Sequence, residues 1–160
     1  MIQKAAACVV RSSDRGPELL VFRHPLAGIQ LPKGSIEAGE RAADAAAREL
    51  AEESGVLAVH VVRRIGQHEF AADGSDTEPV ACEVWHTFLL TAAEDLPDRW
   101  SHRASGSADE AGLVFEFFWM SIAAARRIVA PRYHASIDFV ATAIAADPAV
   151  APFTHGNCTL

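Results

Sequence analysis

Runs of apolar residues separated by short polar turns predict five β-strands. The runs lie at residues 2–11, 18–23, 57–71, 80–90 and 113–122. Val, Ile and Phe recur in them and favour strands, whereas the stretches at 12–17 and 73–79 contain the Gly, Pro, Ser and Asp of turns. The second stretch joins two long runs directly, so we predict an antiparallel hairpin there.

Three segments composed of helix formers predict α-helices. Residues 41–54 are rich in Ala, Leu, Arg and Glu, and Gly55 is placed to end that helix. Two closing helices are predicted at 121–130 and 135–147, on either side of Pro131. Because strands and helices are interspersed along the chain, we predict an α+β (mixed α/β) fold built in layers.

The composition fits a single globular domain spanning residues 1–160. Half of the 160 residues are hydrophobic, which is enough for a sizeable core. The net charge is −7 and the pI is about 5.4. This balance argues against a broad nucleic-acid-binding surface, but it allows a phosphorylated small molecule that is bound through metal ions.

Targeting and redox signals are weak. No apolar run is long enough to cross a bilayer, and the first residues lack the pattern of a signal peptide, so we expect a cytoplasmic protein. Cys8, Cys82 and Cys158 are widely spaced and predict neither a disulfide framework nor a zinc site. We interpret them as small buried side chains.

Three glutamates share one face of the predicted helix at 41–54. On a helical wheel Glu49, Glu52 and Glu53 fall within an arc of about 100°. Small residues continue the arc toward the helix start, and the opposite side is predicted to face the core. The small residues are Ala42, Ala45 and Ala46, and the core-facing ones are Leu50, Ala43, Ala47 and Ala51. The face is either a solvated acidic surface or a platform for a hard divalent cation, with room for phosphates beside the alanines.

The loop before this helix favours the cation platform. Gly34 and Gly39 permit tight backbone geometry near a ligand, and Lys33 supplies a point charge for a phosphate. An ordinary Pro-Gly loop with a solvated lysine is the alternative interpretation.

The segment from Gly34 to Val56 resembles the Nudix box, G-x5-E-x7-R-E-U-x-E-E-x-G-U, in which U is apolar. Every specified position is filled across these 23 residues. The matching residues are Gly34, Glu40, Arg48, Glu49, Leu50, Glu52, Glu53, Gly55 and Val56. The resemblance implies an α/β/α sandwich with a mixed sheet, and hydrolysis of a pyrophosphate bond in a nucleoside diphosphate linked to another group.

The resemblance also implies roles for residues of the box. The implied ligands of Mg²⁺ or Mn²⁺ are Glu49, Glu52, Glu53 and the backbone carbonyl of Lys33. Arg48 would orient a glutamate through a charge-assisted hydrogen bond. Glu40 lies off the acidic arc, so we expect it to anchor the loop rather than bind metal.

The general base is open at this stage. It is either a glutamate of the box or an acidic residue of the polar segment at 94–112, which we predict to be a long functional loop. Asp109 and Glu110 are the acidic candidates there, with a solvated turn as the alternative, and His102 is a weaker candidate.

Four residues are candidates for binding substrate. Lys33, Gly34 and Arg23 could reach a phosphate, although Arg23 could equally be an ordinary strand end. Trp100 lies in the polar segment and could stack on a nucleobase.

The substrate is constrained only loosely. Ala72 stands where the ADP-ribose type of Nudix enzyme tends to have proline, and Asp73 and Gly74 stand where the dinucleoside polyphosphate type tends to have tyrosine. The sequence LPKG at 31–34 is similar to that of enzymes acting on nucleoside or dinucleoside polyphosphates, which we take as the preferred substrate class.

Two classes of function follow, a Mg²⁺-dependent pyrophosphohydrolase and a non-catalytic Nudix domain that senses a nucleotide. The intact glutamates favour the enzyme. An isomerase of the same fold is disfavoured, because the box is complete and Cys8 lies in a strand. The oligomeric state is open, with a homodimer as one alternative.

Overall fold

The computed structural model describes residues 1–71 and 82–152 of the chain. Its strands are β1 (Ile2–Ser13), β2 (Gly16–His24), β3 (Gly28–Gln30), β4 (Lys33–Ser35), β5 (Val59–Ala71), β6 (Cys82–Ala92), β7 (Arg99–Arg103) and β8 (Val114–Ser121). Its α-helices are α1 (Ala42–Ser54), α2 (Ile122–Ile128) and α3 (His134–Ala146), with short 3-10 turns at Pro131–Tyr133 and Pro148–Val150. The predicted helices are therefore confirmed within one or two residues at each end.

The strands form one mixed sheet in the order β5-β6-β1-β2-β8-β7, with β3 paired to β2 and β4 paired to β1. The pair β1–β6 is parallel, and the others are antiparallel. Strand β1 changes partner along its length. Its residues 2–9 pair with β6, and its residues 10–13 pair with β2. The sheet therefore divides at β1. Strand β4 pairs with residues 4–6 of β1, within the part of β1 that also pairs with β6.

Helices cover both faces of the sheet. Ala45, Ala46 and Leu50 of α1 pack in one core with alternate residues of β1, and Ile137 and Val140 of α3 pack in a second core with the intervening residues of β1. Strand β1 is buried on both faces, which explains its nearly continuous apolar sequence. The expected layered α+β sandwich is confirmed.

Both hairpin regions contain antiparallel pairs. Strands β1 and β2 are joined by only two residues, Asp14 and Arg15, between the paired Ser13 and Gly16. The predicted pairing of β5 with β6 is confirmed. The turn predicted at 73–79 lies outside the described residues, as do the substrate-marker positions 72–74 and Cys158.

The prediction of an unbroken loop at 94–112 is wrong. Residues 99–103 form β7, which pairs with β8 through Trp100 opposite Phe117 and His102 opposite Phe115. Trp100 and His102 are half-buried while their neighbours are exposed, the alternation of an edge strand. Every residue of this segment except Trp100 is charged or polar, which hid the pattern in the sequence.

The assignment of α1 faces is also partly wrong. Ala45 and Ala46 are fully buried, so they pack in the core and leave no room for phosphates. Ala47 and Ala51, which were expected to face the core, are only partly buried, whereas Ala43 packs against the core as expected. In the part of the chain that the structure describes, no helix is long and apolar enough to span a membrane.

Candidate active site

Helix α1 directs two of its glutamates inward. Its end is set by Gly55, whose φ of 77° is left-handed and whose N–H donates to the carbonyl of Ala51 at 2.9 Å. Glu49 is only 9% exposed and Glu53 only 2%. Fully buried carboxylates are rare unless they have a partner, so this helix face is not a solvated surface.

Arg48 connects the acidic residues of α1 to the preceding loop. Its Nε and Nη2 donate to the two oxygens of Glu40 at 2.8 and 3.0 Å, and Nη2 also donates to the carbonyl of Ser35 at 2.9 Å. Its Nη1 donates to Glu49 Oε1 at 2.8 Å and to Glu52 Oε2 at 3.2 Å. All five N–H groups of the guanidinium are therefore used. The hydrogen bonds from Arg48 lower the pKa of Glu40 to about 2.

Gly34 leaves space that the Glu49 carboxylate fills. A Cβ at Gly34 would lie 1.9 Å from Glu49 Cδ, far inside any allowed contact. Strand β4 therefore requires glycine here because of the neighbouring helix, not because of its own backbone conformation. The β4 backbone and the carboxylates of α1 are in direct contact.

Glu53 is the most perturbed acid in the site. Burial raises its pKa well above the usual value, the charge of Glu110 raises it further, and the ammonium of Lys33 and a hydrogen bond from the Lys33 backbone oppose the rise. Its Oε2 is buried and has no hydrogen-bond partner among the residues that the structure describes. Burial also raises the pKa of Glu49, against the hydrogen bond from Arg48. A buried carboxylate oxygen without a partner is costly unless a ligand occupies the space beside it.

A cavity of about 510 Å³ is bordered by Glu49 and Glu52, whereas the buried Glu53 is not part of its lining. Its lining is mostly charged or polar: Lys4, Lys33, Gly34, Ser35, Glu37, Arg48, Glu49, Glu52, Gly106, Ser107, Asp109 and Glu110. Both loop acids predicted as candidate bases lie in this lining. Their loop is attached to α1, because the N–H of Ser105 donates to the carbonyl of Glu52 at 3.0 Å and Gly106 lies against the Glu52 carboxylate.

Two lysines form part of the same lining. The ammonium of Lys33 lies 5.6 Å from the ring centroid of Trp85, and burial and the charge of Lys4 both lower its pKa. Lys4 Nζ donates to Ser35 Oγ at 2.9 Å. The cavity thus combines carboxylates with ammonium groups, an arrangement suited to a phosphate chain accompanied by cations.

The sequence matches the family model of the NUDIX domain over residues 1–140. The chain belongs to the Nudix family. The matched region contains the box, β1 with Lys4, and the loop that carries Asp109 and Glu110. No curated protein matches the chain closely enough to add to this assignment.

Solved structures share the Nudix fold with this chain. The Ap4A hydrolase of C. elegans has a TM-score of 0.64 at 16% identity, covering 91% of this chain and 99% of that one. A NUDIX hydrolase from Nitrosomonas europaea has a TM-score of 0.60 at 19% identity and covers 89% of each chain. The NUDIX domain of Shewanella oneidensis NrtR, solved with ADP ribose, has a TM-score of 0.55 at 15% identity, covering 90% and 88%. The predicted Nudix sandwich is confirmed, and so is the prediction of a hydrolase, at the level of the family.

Besides Glu40, which holds Arg48, and the buried Glu53, three residues predicted for the Nudix site are not among the described residues that line the cavity. The indole of Trp100 stacks on Phe117 at 5.2 Å and donates to the carbonyl of Ser54 at 2.9 Å, so it packs against the core. Arg23 Nε lies 3.8 Å from Glu116 Oε2, on the neighbouring strand β8. The third residue, His102, lies against the backbone of Gly55 at the end of α1. The predictions of substrate contacts by Trp100 and Arg23 are therefore not supported by the geometry.

Lys4 lines the Nudix cavity, but sequence reasoning missed it. It lies 31 positions before Ser35 in the chain and outside the box. Only the register of β1 against β4 brings it to the site. A polar residue at the start of an otherwise apolar strand was the one signal available.

The acidic residues fit a hard divalent cation by their chemistry. Glu49, Glu52 and Glu53 offer the oxygen donors that Mg²⁺ and Mn²⁺ prefer, and Glu53 keeps a buried oxygen free of other described partners. Across residues 1–71 and 82–152, no three His, Cys, Asp or Glu side chains already enclose a metal position. In this structure the carboxylates of Glu49 and Glu52 accept hydrogen bonds from Arg48.

Proposed function

We propose that this Nudix chain is a Mg²⁺- or Mn²⁺-dependent pyrophosphohydrolase that cleaves a phosphoanhydride bond in a nucleoside diphosphate derivative. The observation that supports this most is the buried Oε2 of Glu53, which has no hydrogen-bond partner among the described residues and belongs to a carboxylate under the influence of Lys33 and Glu110, two residues of the cavity lining. The backbone of Lys33 bonds this carboxylate but leaves that oxygen without a partner, which is costly at such depth. A cation bound there would compensate the burial.

Glu49, Glu52 and Glu53, with the backbone carbonyl of Lys33, would hold the cation. When bound, it would neutralise phosphate charge and lower the pKa of a coordinated water. Arg48 keeps Glu49 and Glu52 oriented. Glu40 in turn holds Arg48 with both of its oxygens, so it acts through Arg48 rather than on the substrate.

The side chains of the cavity can carry the remaining steps. Lys33 is placed to bind a phosphate oxygen. A carboxylate accepts a proton from the attacking water, the new bond forms between that water oxygen and phosphorus, and the bond to the leaving phosphate oxygen breaks. Asp109, Glu110 and a glutamate of the box are the candidate proton acceptors. Of these acids, Asp109, Glu110, Glu49 and Glu52 line the cavity.

Nucleoside or dinucleoside polyphosphates are the substrate class that we propose. Lys33 of the sequence LPKG lines the cavity, which supports a contact between its ammonium and a phosphate. The neighbour from C. elegans is an Ap4A hydrolase, whereas the neighbour from Shewanella oneidensis was solved with ADP ribose. Both ligands therefore belong in the test.

The test is a substrate panel assayed with Mg²⁺ and with Mn²⁺. It comprises nucleoside triphosphates, dinucleoside polyphosphates, ADP-ribose, nucleotide sugars and RNA 5′-triphosphate ends. We expect Glu53→Gln to lower turnover on the best substrate by about 100-fold or more, because changing even the supports of metal ligands costs about 10- to 100-fold. Thermal denaturation checks that the variant folds.

Asp44→Asn is the matched control. Asp44 belongs to the same helix, but its side chain is 62% exposed on the outer face. We expect wild-type turnover from this variant. Wild-type turnover from Glu53→Gln would contradict the mechanism. Tight binding of one compound with no cleavage of any would instead identify a nucleotide sensor.

A further inference from the structure

Lys4 places a second ammonium beside Lys33, on a strand that is not part of the Nudix box. Strand register pairs Lys4 with Ser35 and Ala6 with Lys33. Residues opposite each other in an antiparallel pair share a face, and so do residues two apart on one strand. Lys4 and Lys33 are therefore diagonal neighbours on the same face, and both line the cavity.

The two ammonium groups share one cavity. Lys33 lies over Trp85, whose Nε1 donates to Glu83 Oε2 at 2.7 Å. Two cations that line the same cavity repel each other, and an anion bound between them relieves the repulsion.

The hydrogen bond to Ser35 does not account for a charged residue at position 4. It is an exposed side-chain contact at 2.9 Å, and such contacts add little to stability. A neutral hydroxyl or amide could make the same contact.

Charges in the cavity are separated by the elements that supply them. The ammonium groups come from β1 and β4, whereas Glu49, Glu52, Asp109 and Glu110 come from α1 and the loop that follows β7. One further carboxylate, Glu37, comes from the loop that follows β4. A reacting phosphate belongs on the acidic side, where cations would bridge it to the glutamates. The next phosphate along a chain would then reach the lysines.

We propose that Lys4 and Lys33 together bind a phosphate that does not react, and that Lys4 makes the site favour chains of three or more phosphates over two-phosphate substrates. This inference rests on the proposed function. A two-phosphate substrate engages the carboxylate side of the cavity and Lys33, and leaves Lys4 without an anion. A chain of three or more phosphates supplies an anion to Lys4.

The decisive variant is Lys4→Met, which removes the ammonium and keeps a long aliphatic stem. We expect kcat/KM to fall about 10- to 100-fold on a nucleoside triphosphate or dinucleoside tetraphosphate, mostly through KM, since a hydrogen bond to a charged group has that worth. On ADP-ribose we expect a change of less than about 3-fold, because that substrate does not reach Lys4. Lys4→Arg should restore most of the loss.

Arg15→Met is the control for net charge. It removes one positive charge from the turn between β1 and β2, where the Arg15 side chain is 85% exposed. We expect wild-type kinetics on every substrate. Equal losses on long and short chains in this variant would mean that general electrostatic steering, not a subsite, explains Lys4.

Calorimetry gives a readout that does not depend on turnover. Inorganic tripolyphosphate and pyrophosphate are titrated in Mg²⁺ buffer into wild type and Lys4→Met. We expect the variant to lose affinity for tripolyphosphate about 10-fold or more and to keep its affinity for pyrophosphate. The inference is overturned if both affinities change equally, if neither changes, or if the wild type does not prefer the longer chain. Absence of any cleavage by the wild type, with this preference intact, would overturn the proposed hydrolysis alone.

Discussion

Replacing Gly34 with alanine tests the contact between β4 and the Glu49 carboxylate. The new Cβ would lie 1.9 Å from Glu49 Cδ and Oε2 and 2.1 Å from Oε1. An ordinary contact begins near 3.4 Å, so the carboxylate must retreat by about 1.5 Å. A misplacement of about 1 Å can cost about 100-fold in rate, so we expect kcat to fall by about 100-fold or more.

Stability should change much less than rate in this variant. Gly34 does not have a left-handed φ, and alanine in a strand costs less conformational entropy than glycine. The strain falls on one side chain, which borders an open cavity and can move into it. We therefore expect the Tm of Gly34→Ala to stay within a few degrees of the wild type while its activity is lost. Initial rates on the best substrate of the panel, at saturating Mg²⁺, give kcat and KM.

Gly66→Ala is the matched control. A Cβ there would lie 2.2 Å from Phe139 Cδ2, a similar clash in β5 but against α3 rather than the cavity. We expect this variant to lose stability and to keep its kcat per folded molecule. If Gly34→Ala has wild-type kcat, the position of Glu49 does not limit the reaction and the reasoning from this contact is refuted.

Two further predictions concern the pH dependence of stability. Without divalent cations, Glu53→Gln should be more stable than wild type by about 1–3 kcal/mol at pH 8, because burial raises the pKa of Glu53 and disfavours its charged form. The gain should vanish below the ordinary glutamate pKa of about 4.3, where wild type is also neutral, and thermal melts across pH measure it. Glu40→Gln should lower the free energy of unfolding by about 1–3 kcal/mol at pH 7, because it breaks the paired hydrogen bonds from Arg48. Since the pKa of Glu40 is lowered to about 2, its contribution is complete above the ordinary glutamate pKa and is lost as the pH falls toward 2, which urea denaturation at pH 7 and pH 3 can follow.

The sequence predicts the acidic side of the site because that side is local. Glu49, Glu52 and Glu53 lie on one helix within five residues, and the periodicity of a helix places them together without knowledge of the tertiary fold. What it could not show was which way the helix faces. Alanine packs equally well in a core or beside a ligand, so Ala45 and Ala46 were placed on the wrong side.

The basic side and the aromatic contacts depend on long-range register. Lys4 reaches the cavity only because β1 pairs with β4, and Trp100 packs inward only because β7 pairs with β8. Neither pairing leaves a local signal, since Lys4 is a single polar residue and Trp100 is flanked by Arg99 and Ser101. Long-range strand pairing is what a single sequence reveals least.

The division of the sheet at β1 has a consequence for how the site folds. Residue Ile2 pairs with Glu83, so β1 pairs with a strand that lies more than half the chain length away in sequence. A nascent chain that ends at Val56 already contains the whole box, yet it lacks β6 to hold β1, and β1 in turn holds β4. The box is therefore a local motif in sequence, whereas the cavity that Glu49 and Glu52 border is completed by Asp109 and Glu110. That cavity can form only after the second half of the domain has been synthesised.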